Sequence, residues 1–158
     1  MRIGITGHRG LSRGVEQQVR QLLGEAVREL NPTDLVGISC IADGPDAWFA
    51  SAVLKHGGSL EVVVPAEQYR ESLPEDHWPV YDELMRHAAE VHHTGMTASD
   101  SQAHMAGSEI LVRLSDKLFA VWDEKPARGY GGTADVVGYA QRNGVPVRVL
   151  WPKSATRE

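Results

Sequence analysis

Three short stretches of this sequence bring together residue types that can hold an anion. The first, Thr6-Gly7-His8-Arg9-Gly10, directly follows an apolar run from Ile3 to Thr6. Gly7 lets the backbone turn without a Cβ clash. Arg9 supplies a planar cation suited to phosphate, and His8 donates a hydrogen bond or titrates near neutral pH. A helix starting after such a turn aims free N–H groups and its positive end at the same place. The plain alternative is a glycine turn carrying two solvated side chains. The stretch lacks the Gly-Lys-Ser/Thr ending of a P-loop, and it is not a Gly-x-Gly-x-x-Gly fingerprint.

The second stretch runs from Val121 to Asp135 and contains Gly131-Gly132-Thr133-Ala134-Asp135. A glycine pair opening a helix is a second nest of backbone donors. Thr133 caps that helix or bonds a phosphate oxygen. Asp135 falls in the first turn, where the helix dipole favours a carboxylate in any case. Asp123, at the end of a strand, can accept from ribose hydroxyls or stand as a solvated loop acid. Trp122 stacks on a base or packs the core. The third stretch is Ser39-Cys40-Ile41-Ala42-Asp43-Gly44-Pro45-Asp46. Ser39 is expected near the first loop, Cys40 as a small packed residue, Pro45 at the first helical position and Asp46 as a helix cap or in the helix's first turn.

The seven histidines show no metal-ligand spacing, so no metal site is expected. His92 and His93 are adjacent and face opposite ways on a strand. No cofactor is implied. Trp78 and Tyr81, after Pro74, are expected to pack a lid or a dimer face.

The elements that must position these loops follow from apolar spacing. Val15 to Leu30 repeats apolar residues at helical intervals and ends at Asn31-Pro32. Strands are expected at Ile3 to Thr6, Leu35 to Ile38, Leu60 to Val64, Glu90 to His93, Lys117 to Val121 and Val147 to Leu150. Helices are expected at Pro45 to Leu54, Asp76 to Ala89, Gln102 to Leu114 and Thr133 to Asn143. The strands are continuous apolar runs, the pattern of a sheet covered on both faces. The expected fold is α/β, a Rossmann-like three-layer sandwich with a mostly parallel sheet in the order 3-2-1-4-5-6. In such a sheet ligands bind beyond the carboxyl ends of the strands, where the strand order reverses. Here that point lies beside the end of the first strand.

Length and composition set the frame. The 158 residues fit one domain, expected over 1–152 with a disordered tail over 153–158. Apolar content of 42% and charged content of 23% are those of a globular chain. A net charge of −5 and the lack of a basic stripe leave nucleic acid outside the expected partners. A single cysteine allows no intrachain disulfide, and no signal peptide or membrane-spanning run is read, so the expected location is cytoplasmic.

Taken in order, the three loops resemble the SLOG superfamily, the Rossmann-like group that contains the LOG phosphoribohydrolases and the DNA-processing protein DprA. Cys40 to Asp46 is similar to the superfamily's Ala-x-Gly-x-Asp segment. Asp116 to Asp123 looks like its fifth strand, and Gly131 to Val137 resembles its Gly-Gly-x-Gly-Thr phosphate loop. The resemblance implies a nucleotide or nucleotide-derived ligand and a tendency to form homodimers. LOG enzymes carry a catalytic glutamate three residues after the loop threonine, and Val136 stands there. Their helix arginine falls at about Gly107, and Arg113 is out of register. The hydrolytic pair is thus missing at its matching positions, with Asp135, one residue away, the nearest substitute.

The resulting expectation is a binding or sensing module for a phosphorylated nucleoside ligand. Its site residues are Gly7, His8, Arg9, Ser39, Asp123, Gly131, Gly132, Thr133 and Asp135. The alternative is a nucleotide N-glycosidase of the LOG kind, with Asp135 as its candidate catalytic residue. A third reading is an interaction domain with a vestigial pocket.

Overall fold

In the computed structural model, which describes residues 1–153, 155 and 156, strands and helices alternate along the chain. The strands are β1 (Arg2–Gly7), β2 (Val36–Ser39), β3 (Ser59–Val64), β4 (Ala88–His93), β5 (Lys117–Val121) and β6 (Val147–Val149). The helices are α1 (Arg13–Arg28), α2 (Pro45–His56), the single-turn α3 (Tyr69–Ser72), α4 (Trp78–Arg86), α5 (Ser101–Arg113) and α6 (Thr133–Arg142). All strand pairs are parallel, in the order β4-β3-β2-β1-β5-β6. Of the expected tail, residues 154, 157 and 158 lie outside the described residues, while the Ala155 carbonyl accepts from Trp151 Nε1.

The expected α/β three-layer fold is present, with the run β3-β2-β1 and the neighbours β5-β6 in place. The detail that differs is β4, which lies outside β3 at the sheet edge rather than between β1 and β5. Its sequence explains this. Ala-Ala-Glu-Val-His-His is largely exposed in the structure, and a strand covered on both faces cannot hold Glu90, His92 and His93. Helix α4 also stops at Arg86, before the expected Ala89, because Ala88 already pairs with Leu60 across the sheet.

One apolar cluster lies where α1 and α2 meet the sheet, around Ile3, Ile5, Val19, Leu23, Phe49, Val53 and Phe119. A second gathers Ile38, Val62, Leu111, Val112, Leu118, Val136 and Ala140, under α5 and α6. The chain steps outward from β1 to β4, and α5 then returns it to β5 on the other side of β1. The reversal therefore lies between β1 and β5, and it opens the crevice that holds the candidate site.

Candidate functional site

Strand β1 pairs with β5 along its whole second half, ending at Gly7 opposite Val121. The next amide, His8 N, donates to the Val121 carbonyl at 3.1 Å. A Cβ on Gly7 would lie 2.9 Å from the Cβ atoms of both Pro45 and Val121, so only glycine fits. Beyond this junction lies a cleft of about 260 Å³. Its wall includes Gly7, His8 and Arg9 on one side and Gly131, Gly132 and Thr133 on the other. The two glycine loops thus converge.

Their amides are used differently from the expectation. Gly131 N donates to Asp135 Oδ2 at 2.9 Å, and Gly132 N to the Gly129 carbonyl at 3.2 Å. Gly131 adopts φ +85°, the left-handed conformation that glycine reaches without strain. Asp135 thereby closes the turn that starts α6, and its carboxylate is absent from the cleft wall. The amides of Thr133 and Ala134, in the first turn of α6, have no hydrogen-bond acceptor among the described residues. The Thr133 amide, at the cleft wall, and the Arg9 guanidinium are donors suited to an anion there.

Two further expected residues stand outside the wall. Ser39 is fully buried; its hydroxyl donates to the Asp46 carbonyl and accepts from Ile41 N, each at 2.9 Å. That clamp holds Ile41 at φ +49°, a left-handed conformation rare for a β-branched residue. Asp123 Oδ1 lies 3.1 Å from His8 Nε2 and also accepts from Lys125 N. The His8 ring stands edge-on to Trp151, with centroids 5.7 Å apart. His8 and Asp123 therefore brace the β5 loop against β1. Trp122 bonds the Lys125 carbonyl through Nε1 and does not reach the cleft.

The structure adds residues to the cleft that the sequence reading did not place in the site. Asp46, Tyr69, His104, Ser108 and Cys40 line the cleft. His104 and Ser108 share one face of α5 by their four-residue spacing, a signal available in the sequence. The cap of α2 is Gly44, with no side-chain hydrogen bond, and Asp46 sits within the first turn. Burial pushes the Asp46 carboxyl up to about 7, against the opposing pull of the Ala42 backbone hydrogen bond and Arg9. His104 moves down, through burial and then the Arg9 charge. Its Nε2 lies 2.8 Å from Ser99 Oγ. Burial drives the Cys40 thiol and the Tyr69 phenol well up, so both are neutral at physiological pH. Cys40 is the packed residue its sequence context suggested. Arg9 itself binds Asp43 Oδ1 at 2.6 Å.

Away from the cleft, Tyr81 is buried against Tyr69, and the Arg70 guanidinium lies 4.6 Å over the Trp78 ring. Glu61, Glu90 and His92 gather three potential metal-ligand atoms at the β3–β4 edge. Glu61 is already gripped by Arg2 through two hydrogen bonds of 2.8 and 2.9 Å. No described helix is long and apolar enough to cross a membrane.

No family model matches the sequence, and no curated protein does. Solved structures do. DNA processing protein A from Helicobacter pylori matches over 100% of this chain and 68% of its own, at 17% identity and a TM-score of 0.71. The Streptococcus pneumoniae protein matches 94% of this chain at 17% identity and a TM-score of 0.66. This chain spans only 49% of that protein's length. The molybdenum cofactor binding protein of Rippkaea orientalis matches 94% of this chain and 74% of its own, at 17% identity and a TM-score of 0.59. The Helicobacter pylori protein binds single-stranded DNA, and this overturns the expectation that set nucleic acid aside as a partner. The physical reason is that a net charge averages over the whole surface, whereas binding depends on local potential. At these identities the likeness concerns architecture: the chain has the Rossmann-like α/β fold of these proteins, the fold the three loop motifs led one to expect.

Proposed function

We propose that this protein binds a phosphorylated, nucleotide-derived ligand in the cleft between β1 and α6, as a binding or sensing module. One observation carries the proposal. Arg9 and the first turn of α6 line the same cleft, so a guanidinium and acceptor-free amides can meet one phosphate. The nucleoside part would lie toward Tyr69, His104 and Asp46. Proteins of this fold that bind single-stranded DNA or the molybdenum cofactor support ligand binding at low sequence identity. The test is thermal denaturation of the full chain with AMP and with adenosine. A ligand that binds only the folded state raises its midpoint. Stabilisation by AMP well above that by adenosine, with AMP recovered intact, is the expected result. No stabilisation by either removes the proposal.

A second reading is hydrolysis of the N-glycosidic bond of a nucleotide 5′-monophosphate. Asp46 favours it, since a carboxyl with a pKa near 7 suits general acid–base work. In that reaction the water oxygen bonds C1′, the C1′–N bond breaks, and the proton lost by water offsets the one taken up by the base. Asp46 would accept the first, while Asp135 stays bound to its own loop. Release of adenine and ribose 5-phosphate from AMP, abolished in Asp46→Asn, would select this reading.

A further inference from the structure

A second recess lies on the far side of α2, outside the site described above. Helices α1 and α2 run side by side there and enclose a groove of about 410 Å³. Its walls are two facing helical stripes. Arg20, Gly24, Val27 and Arg28 come from α1, and Trp48, Ser51, Ala52, Lys55 and His56 from α2. No acidic residue lines it, although the chain carries a net charge of −5.

Of the nearby acids, Glu16 pairs with the wall residue Arg20, while Glu25 accepts from Gln21 and Glu29, just past the helix end, pairs with Arg148. Arg28 and Lys55 are exposed and have no ion-pair partner among the described residues. The Arg20 guanidinium carbon lies over the Trp48 ring, 4.6 Å from its centroid, and Glu16 Oε2 accepts from its Nε at 3.0 Å. A guanidinium held over an indole in this way stands beside two exposed cations. Bases stack on guanidinium and indole planes, and phosphates attract Lys and Arg. The Arg28 guanidinium lies against Gly24, 3.0 Å from where a Cβ would stand, so the small residue lets that cation reach the groove.

We propose that the α1–α2 groove is a second anion site, which takes a phosphate bearing an aromatic base. A free mononucleotide and one unit of a single strand share that chemistry.

The experiment uses the full chain carrying Arg9→Ala, which removes the cation of the cleft. AMP and inorganic phosphate are titrated by calorimetry, and a labelled dodecathymidylate by fluorescence anisotropy. Each titration is repeated after adding Arg28→Glu and Lys55→Glu. Both positions are exposed, and circular dichroism confirms the fold. Binding should fall at least about tenfold on charge reversal, and for the strand the salt slope should shrink by about 1.4, the release from two phosphate contacts. An effect on AMP alone assigns a free nucleotide, and an effect on the strand alone assigns a polymer; either supports the site. Three results overturn it: binding unchanged by charge reversal, no binding of either probe to the Arg9→Ala protein, or inorganic phosphate bound as tightly as AMP. A sedimentation mass that drops on charge reversal, with no change in probe binding, makes this face a self-interface and also overturns it.

Discussion

Arg9 Nη2 and Asp43 Oδ1 stand 2.6 Å apart at the mouth of the cleft. The cation that faces an incoming anion is therefore shared with a carboxylate of the protein. Both side chains are partly exposed, which limits the worth of the pair. Asp43→Asn should tighten AMP binding by up to about fivefold, the scale of such a pair. Arg9→Ala should weaken AMP more than adenosine in the same calorimetric titration. Equal loss for the two ligands would rule out a phosphate role for Arg9.

The carboxyl of Asp46 sets a pH dependence of known sign. Its folded value of about 7 lies above the ordinary carboxylate range because of burial. The native state thus holds a proton that the unfolded chain releases. That contribution to stability is complete below about pH 4 and is lost as pH rises toward 7. Asp46→Asn should flatten this decline, so its melting midpoint should gain on the wild type between pH 5 and pH 8. Glu61 works in the opposite sense. The Arg2 hydrogen bonds hold it below its usual value, so its contribution is present at neutral pH and fades on acidification. Parallel melting curves for Asp46→Asn and wild type across the pH series would refute the assignment.

His8 and Asp123 form a buried brace, and stability should reveal it. His8 is 4% exposed and meets both Asp123 and the Trp151 ring. His8→Ala should cost about 2 kcal/mol in urea unfolding, from a lost hydrogen bond and a cavity. Asp123→Ala should destabilise on a similar scale and change adenosine affinity by less than about twofold. A large loss of affinity with unchanged stability would return Asp123 to the ribose.

The turn before α6 can be probed at Gly131. Its φ of +85° and the 3.1 Å gap between a Cβ there and the Ser101 carbonyl leave alanine strained and crowded. Gly131→Ala should lower stability by about 1–2 kcal/mol. It should also weaken AMP by displacing the first turn of α6, as read by the same melting assay.

The sequence revealed the scaffold better than the site. Continuous apolar runs such as Leu118 to Val121 announce a strand covered on both faces. The helical spacing from Val19 to Val27 announces the face that α1 buries. Glu90, His92 and His93 carried the clue to an edge strand as well, in a density of polar residues that the interior strands do not match. Loop convergence followed from topology, since β1 and β5 flank the reversal. The fate of individual polar groups did not follow. Whether Ser39 faces a ligand or clamps Ile41 depends on one hydrogen bond to Asp46, seven residues on. Asp135 could serve a ligand or its own turn, and only the position of the Gly131 amide decides. Asp46 drew a capping or first-turn role because its spacing fits one, while its place in the cleft beside Tyr69 of α3 and His104 of α5 is one that no local pattern announces.

The close fit of Gly7 between Pro45 and Val121 has a thermodynamic consequence. The floor of the crevice is main chain wedged in place, with no rotamer to select and no side chain to withdraw. Groups fixed in this way lose little freedom when something settles on them, so less of the binding energy is forfeited to ordering. Selectivity at that end of the crevice then comes from a preset shape, and a misfit there cannot be relieved by adjustment.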